Sequence, residues 1–263
     1  MDIIVSVRGL TKSFGDKIVL KDVDMDFPRG KVTSIIGQSG IGKSVLFKNI
    51  IGIMTPDSGS IVVDGEDITK LREREKRRIR RRFGYAFQDA ALFDSMTVAE
   101  NIGFPLREVL GMKDKKEMRR IVREKLEWIN LPGIEEKYPS ELSGGMRKRV
   151  GVARTLAIEP DILLFDEPTT GLDPVLGASI NALIKRVNEE FGITCIVISH
   201  DIIGTFNIAD RIGFIAEGAI RAAGSPDEVA RTEHPVLRQF LKNSFTDLKT
   251  TDLKTEIDAG DGL

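Results

Sequence analysis

The stretch "GQSGIGKS" at residues 37–44 restricts this chain more than any other eight residues. It fits G-x-x-x-x-G-K-[ST] and stands between a β-branched apolar run, "KVTSII", and a run of helical character, "VLFKNIIG". Glycines at 37, 40 and 42 let backbone N–H groups turn inward around phosphate oxygens, and the helix that follows adds positive potential at its N-terminus. The cradle comprises Gly37, Gln38, Ser39, Gly40, Ile41, Gly42, Lys43 and Ser44, closing on Val45. In such a loop Lys43 reaches the β and γ phosphates of a nucleotide, and the Ser44 hydroxyl is a ligand for Mg²⁺.

The remaining chain fits an α/β scaffold for that loop. The opening third is strand-rich, with "IIVSV", "IVLKDVDMDF", "KVTSIIG" and "SIVVDG" bounded by Gly, Pro and Asp. Residues 97–157 change to helical spacing and are expected to form an inserted helical subdomain. Beyond them, "DILLFDEP" and "ITCIVISH" are continuous apolar runs of strand length, separated by the helical stretch 175–190. Runs of that kind predict strands covered on both faces in a parallel sheet. A net charge of -1 over 263 residues gives no global drive toward nucleic acid, and no apolar run approaches the roughly 18 residues of a membrane span. The start "MDIIVSVRG" lacks the pattern of a signal or transit peptide, and a single cysteine, Cys195, excludes a disulfide scaffold and suits a reducing cytosol.

Several residues are candidate partners of the cradle. "ILLFDEP" ends an apolar strand in two carboxylates: Asp166 can hold Mg²⁺ through water, and Glu167 can accept a proton from an attacking water. His200 closes the strand "CIVISH" and can sense a γ phosphate. Gln88, in "YAFQDAALF", ends another strand and can reach Mg²⁺ or the water. Phe14 in "TKSFGDK" either stacks on a base or packs in the core. Trp128, Tyr138, His234 and Cys195 are assigned to packing or surface. The basic block "REREKRRIRRR" at 72–82 reads as a solvated helix face, with a membrane-surface or partner contact as the alternative. The end of the chain, with "TDLKT" at 246–250 and again at 251–255, is expected to be a poorly ordered tail beyond about residue 245.

A second glycine-rich turn, "ELSGGMRKR" at 141–149, opens a helix although the chain already has one phosphate cradle. With "GQSGIGKS", "FQ", "LSGGM", "LLFDEP", "GLDP" and "SH" in that order, the chain resembles the ATP-binding subunit of ABC transporters over about residues 3–240. The resemblance implies a P-loop NTPase of ABC type, with a mixed sheet core, an antiparallel β subdomain and the helical subdomain inside a domain of residues 1–245. It also implies that the subunit uses ATP and Mg²⁺. Ser143, Gly144 and Gly145 are then expected to bind the γ phosphate of ATP held by a second copy, and Asp173 to contact that copy's phosphate loop. The implied partners are a homodimer through an ATP sandwich and integral membrane permease subunits. The implied place is cytoplasmic, peripheral on the inner face of the inner membrane.

Met146 stands where Gln is usual in this family, and Ile41 where Ser is frequent. With "QDAALFDSMTVAENI" and "LSGGMRKRVGVARTLA", these departures resemble the subfamily that drives MCE-type phospholipid transport, including the Mla lipid-asymmetry system. An MCE substrate-binding protein is then expected in the same complex. The alternatives are an importer ATPase for another substrate, such as an amino acid, or a soluble ABC ATPase outside transport. The absence of long heptad runs and zinc cysteines argues against the second.

Overall fold

The computed structural model describes residues 2–242. The tail beyond about 245, with both "TDLKT" copies, lies outside them. The chain opens with β1 (Ile3–Phe14), β2 (Lys17–Pro28) and β3 (Val32–Ile36), then α1 (Lys43–Ile50), β4 (Ser58–Val63) and β5 (Glu66–Asp67). Next come α2 (Glu73–Arg80), β6 (Phe83–Ala86), α3 (Val98–Glu108), α4 (Lys115–Trp128) and α5 (Gly144–Leu156). The last third runs β7 (Ile162–Asp166), α6 (Pro174–Phe191), β8 (Thr194–Ser199), α7 (Ile202–Ile208), β9 (Arg211–Ala216), β10 (Ala219–Gly224) and α8 (Pro226–Arg231).

These strands form two sheets. One is antiparallel, in the order β2-β1-β4-β5; the other has six strands in the order β10-β9-β3-β8-β7-β6, parallel from β9 to β6 with β10 antiparallel at the edge. The apolar runs explain the central positions: every residue of β3 and β8 is buried, as are the first four of β7. Their side chains alternate between two cores, as strand geometry requires. Leu163, Phe165, Cys195 and Val197 face the helices of the 98–187 segment, whereas Ile162, Leu164, Ile196 and Ile198 face the antiparallel sheet and α1.

Most of the basic block is the solvated face expected of it, with seven of its eleven residues exposed, but one side of α2 is docked. Lys76 and Ile79 of α2 are buried, Arg80 donates to the carbonyl of Gly52 at 2.5 Å, and Arg82 pairs with both Asp64 and Asp161. The helix is therefore docked by two of its residues and anchored at its exit, while Arg72, Arg74, Arg77 and Arg81 remain exposed. Cys195 is buried, and Trp128 packs on Phe191 with ring centroids 5.1 Å apart. No helix among the described residues is long and apolar enough to cross a membrane.

Parallel pairing fixes where the site lies. Ile36 is in register with Ser199, Asp166 with Ile198 and Ala86 with Phe165, so the carboxyl ends of β3, β8, β7 and β6 share one edge. The loops leaving those ends carry the cradle, His200, Glu167 and Gln88. Open α/β sheets bind ligands at this edge, just beyond the strand ends.

Candidate functional site

A cleft of about 550 Å³ opens at that edge, lined by Phe14, Ser39, Gly40, Gly42, Lys43, Ser44, Val45, Gln88, Glu167 and His200. Its floor is the turn from β3 into α1. Gly42 caps α1 at φ 111°, and a Cβ there would meet Val19 Cγ1 at 2.9 Å, so only glycine permits this entry into the helix. The first N–H groups of α1 have no acceptor within the helix, which makes the turn a ready anion site.

The charged groups of the cleft hold one another. The Lys43 ammonium, 5% exposed, donates to the carbonyls of Gly37 at 2.7 Å and Gln38 at 3.1 Å, and lies 3.4 Å from Glu167 Oε1. The other Glu167 oxygen lies 2.6 Å from His200 Nδ1 and accepts the His200 backbone N–H at 3.1 Å. Glu167 itself sits at φ 49°, a left-handed backbone held by its N–H to the carbonyl of Ile198 at 2.9 Å. Such a backbone raises its carboxylate off the strand axis toward the cradle. The Ser44 hydroxyl donates to Asp166 Oδ1 at 3.3 Å. Two hard oxygen donors thus stand side by side at the mouth of the loop, a donor set suited to Mg²⁺. Gln88 lines the cleft and is exposed. Phe14 is 48% exposed at the cleft rim, which removes the core-packing alternative, and the Lys12 ammonium lies 5.7 Å from its ring centroid.

Ser143, Gly144, Gly145 and Asp173 are not among the residues lining this cleft. Ser143 is the N-cap of α5, its hydroxyl accepting the Met146 N–H at 3.3 Å, and Asp173 caps α6 by accepting the Leu176 N–H at 2.9 Å. A Cβ placed on Gly144 would meet nothing closer than Leu172 Cδ2 at 3.7 Å. The glycine-rich turn is open above the helix end.

Three site residues escaped the sequence reading. Tyr85, on β6, donates its hydroxyl to Asp166 Oδ2 at 2.7 Å; burial and the neighbouring carboxylate raise its pKa, so it stays a protonated donor. Lys148 of α5 donates to the carbonyls of Pro168 and Thr170, both at 2.7 Å, tying the glycine-turn helix to the loop after Asp166 and Glu167; its burial lowers its pKa. Arg154, near the end of α5, donates to the carbonyls of Ala90 and Ala91 at 2.6 and 2.7 Å and so holds the segment that carries Gln88. Both alanines have positive φ, 60° and 46°. Asn101 of α3 clamps the far end of that segment through Phe93, Met96 and Thr97. All three missed side chains lie in or beside motifs that sequence reading did single out, but their contacts span 20 or more residues.

A phosphate cradle beneath paired carboxylates at the sheet edge defines a P-loop nucleoside triphosphatase. The family model described as ABC transporter matches residues 20–170, and the chain belongs to that family. It is 43% identical over 92% of its length to a probable ribonucleotide transport ATP-binding protein, mkl, of Mycobacterium leprae, covering 69% of that protein. It is 40% identical over 91% of its length to the intermembrane phospholipid transport system ATP-binding protein MlaF of Haemophilus influenzae, covering 90% of that protein. Among solved structures it is similar to the ATP-binding cassette MJ0796 in a dimeric post-hydrolysis state bound to ADP and Pi. There the TM-score is 0.76 at 32% identity, over 84% of this chain and 98% of that one. The chain is an ATP-binding, ATP-hydrolysing cassette.

Proposed function

We propose that this cassette drives phospholipid transport across the cell envelope, as the peripheral ATPase of a complex with a separate membrane permease and an MCE-type lipid-binding protein. The observation that carries the substrate class is the likeness to MlaF, which extends over 90% of that protein's length as well as nearly all of this chain. The somewhat higher identity to the ribonucleotide-transport relative favours a second reading, but that match spans only 69% of the relative. In this reading the separate permease supplies the translocation path. Residues 98–156, with the apolar groove beside them, supply its docking face: Phe87 and Phe93 are 49% and 42% exposed there, next to Phe104 and Pro105.

The cleft residues take the following roles in hydrolysis. Lys43 leaves the carbonyls of Gly37 and Gln38 for the β and γ phosphates, and the N-terminus of α1 completes the cradle. Ser44, Asp166 and Gln88 would hold Mg²⁺, which when bound neutralises charge on the β and γ oxygens. Glu167 accepts the proton of the attacking water, and His200, already bonded to that carboxylate, senses the γ phosphate. Ser143, Gly144 and Gly145 close on the γ phosphate in a second copy, with Asp173 beside that copy's loop; Phe14 stacks on adenine. ATP thereby glues two copies together and hydrolysis releases them.

Purification of the complex from its native membrane tests the substrate reading. Stoichiometric phospholipid and an MCE protein in the preparation, with phospholipid redistribution between membranes and detergent sensitivity on gene deletion, are the expected results. Unchanged lipid distribution together with lost ribonucleotide or amino acid uptake would overturn it.

A further inference from the structure

Tyr85 occupies a position that nucleotide chemistry alone does not require. Its ring lies on β6, the edge strand of the parallel sheet, wedged between Phe47 of α1, edge-on at 6.1 Å, and Phe87, tilted at 4.4 Å. Those two rings leave the hydroxyl little freedom, and it points at Asp166 Oδ2 from 2.7 Å. The opposite oxygen of the same carboxylate is the one that meets Ser44. Asp166 is therefore gripped on both sides: one oxygen accepts from the Ser44 hydroxyl, and the other from the phenol.

We propose that Tyr85 is a positioning residue for the metal carboxylate, fixing the rotation of Asp166 so that its other oxygen stands beside Ser44, where the two residues would hold Mg²⁺. The inference rests on the reading of Asp166 as a metal-binding residue. A carboxylate with one oxygen tied to a rigid donor has lost one of its two ways of facing an ion, and partners of this kind commonly govern metal affinity as strongly as they govern orientation. The same ring also lines the apolar groove of about 420 Å³ with Phe87, Phe93, Phe104 and Arg154. Anything seated in that groove touches the side chain that orients Asp166, so one residue spans the groove and the metal site.

The test compares Tyr85→Phe with the parent in full-length protein, measuring by calorimetry the dissociation constant of a non-hydrolysable ATP analogue in EDTA and in saturating Mg²⁺. The ratio of the two constants is the gain in affinity that Mg²⁺ confers, and it is independent of turnover. Tyr85→Phe should reduce that gain about tenfold while leaving the EDTA value within about twofold and the thermal melt close to the parent's. In an Asp166→Asn background the same change should have no further effect on the gain. An unchanged gain in Tyr85→Phe, with Asp166→Asn reducing it, would overturn the role of Tyr85 alone. A gain unchanged by Asp166→Asn would overturn the metal reading of Asp166 and this inference with it. An equal loss in both backgrounds would show that Tyr85 acts by another route, and would also overturn the inference.

Discussion

The cradle at the start of α1 and the glycine turn at the start of α5 have the same local chemistry, a glycine-rich loop feeding a helix N-terminus, yet they stand in opposite circumstances. The cradle is enclosed by its own chain: Lys43, Glu167, His200, Ser44 and Asp166 bond to one another around it. The turn at Ser143 is capped by its own hydroxyl and fastened from below through Lys148 and Arg147, but its upper face has no such enclosure. Helix N-termini leave N–H groups that need an acceptor. The cradle forms a binding site by folding, whereas on the proposed reading the glycine turn forms one only by pairing with a second copy.

Four substitutions can break or sharpen that contrast. Glu167→Gln removes the proton acceptor of the enclosed site while retaining its shape, so ATP hydrolysis should fall by about 10² to 10⁴, the usual worth of a positioned base. ATP-dependent dimers should then accumulate, visible by size-exclusion chromatography with multi-angle light scattering; turnover near the parent's rate would remove Glu167 from the role of base. Arg154→Ala strips a buried cation from the carbonyls of Ala90 and Ala91, and should lower stability by about 2 kcal/mol in a urea titration. Because those carbonyls precede the groove, hydrolysis should lose its response to the permease as well. A melt and response equal to the parent's would show that the Gln88 segment is held by other contacts.

The remaining two are smaller. Phe14→Ala should weaken ATP binding by about 1 to 2 kcal/mol, the worth of an aromatic stacked on a base, and should weaken GTP binding equally because stacking does not read base edges. Equal ATP affinity in variant and parent would place the base elsewhere. Ser143→Ala removes the cap of α5 and should cost about 1 kcal/mol of stability, with nucleotide binding to the monomer untouched. A loss of monomer affinity in that variant would place the turn at its own cleft, against the contrast drawn here.

The two halves were not equally legible in the sequence. The cradle is written in adjacent residues because phosphate binding there is a property of one turn, and "GQSGIGKS" carries glycine, lysine and serine at the spacing the turn needs. The strands β7 and β8 were equally plain, since a parallel strand covered on both faces reads as a largely continuous apolar run. The glycine turn yielded its helix to local reading, but its partner came only with the family resemblance. Tyr85 was hidden because its hydroxyl meets a carboxylate 81 positions away, and in "FGYAFQ" it looks like any strand aromatic. The hairpin β9–β10 went unread although Glu217 and Gly218, at φ 52° and 76°, form the two-residue left-handed turn between its strands. The block at 72–82 was legible as a largely solvated face, but composition could not show that Arg80 and Arg82 reach acceptors at Gly52, Asp64 and Asp161, which lie elsewhere in the sequence.

The central claim, that the turn at Ser143–Gly145 completes the cleft of a second copy, is tested most directly by mixing two inactive chains. Lys43→Ala loses the cradle. Gly144→Asp fits sterically, because the nearest atom to a Cβ there is 3.7 Å away, but it sets a carboxylate against the γ phosphate. At 4 Å and an effective dielectric of 20 that repulsion is about 4 kcal/mol, enough to prevent closure. Random exchange makes about half of the dimers mixed, and each mixed dimer joins the intact cradle of one chain to the intact turn of the other, so roughly a quarter of all sites should be whole. The account predicts ATP-dependent dimers and hydrolysis clearly above either parent once exchange is verified by differential labelling. A fully exchanged mixture as inactive as its components, and without ATP-dependent dimers, would contradict it.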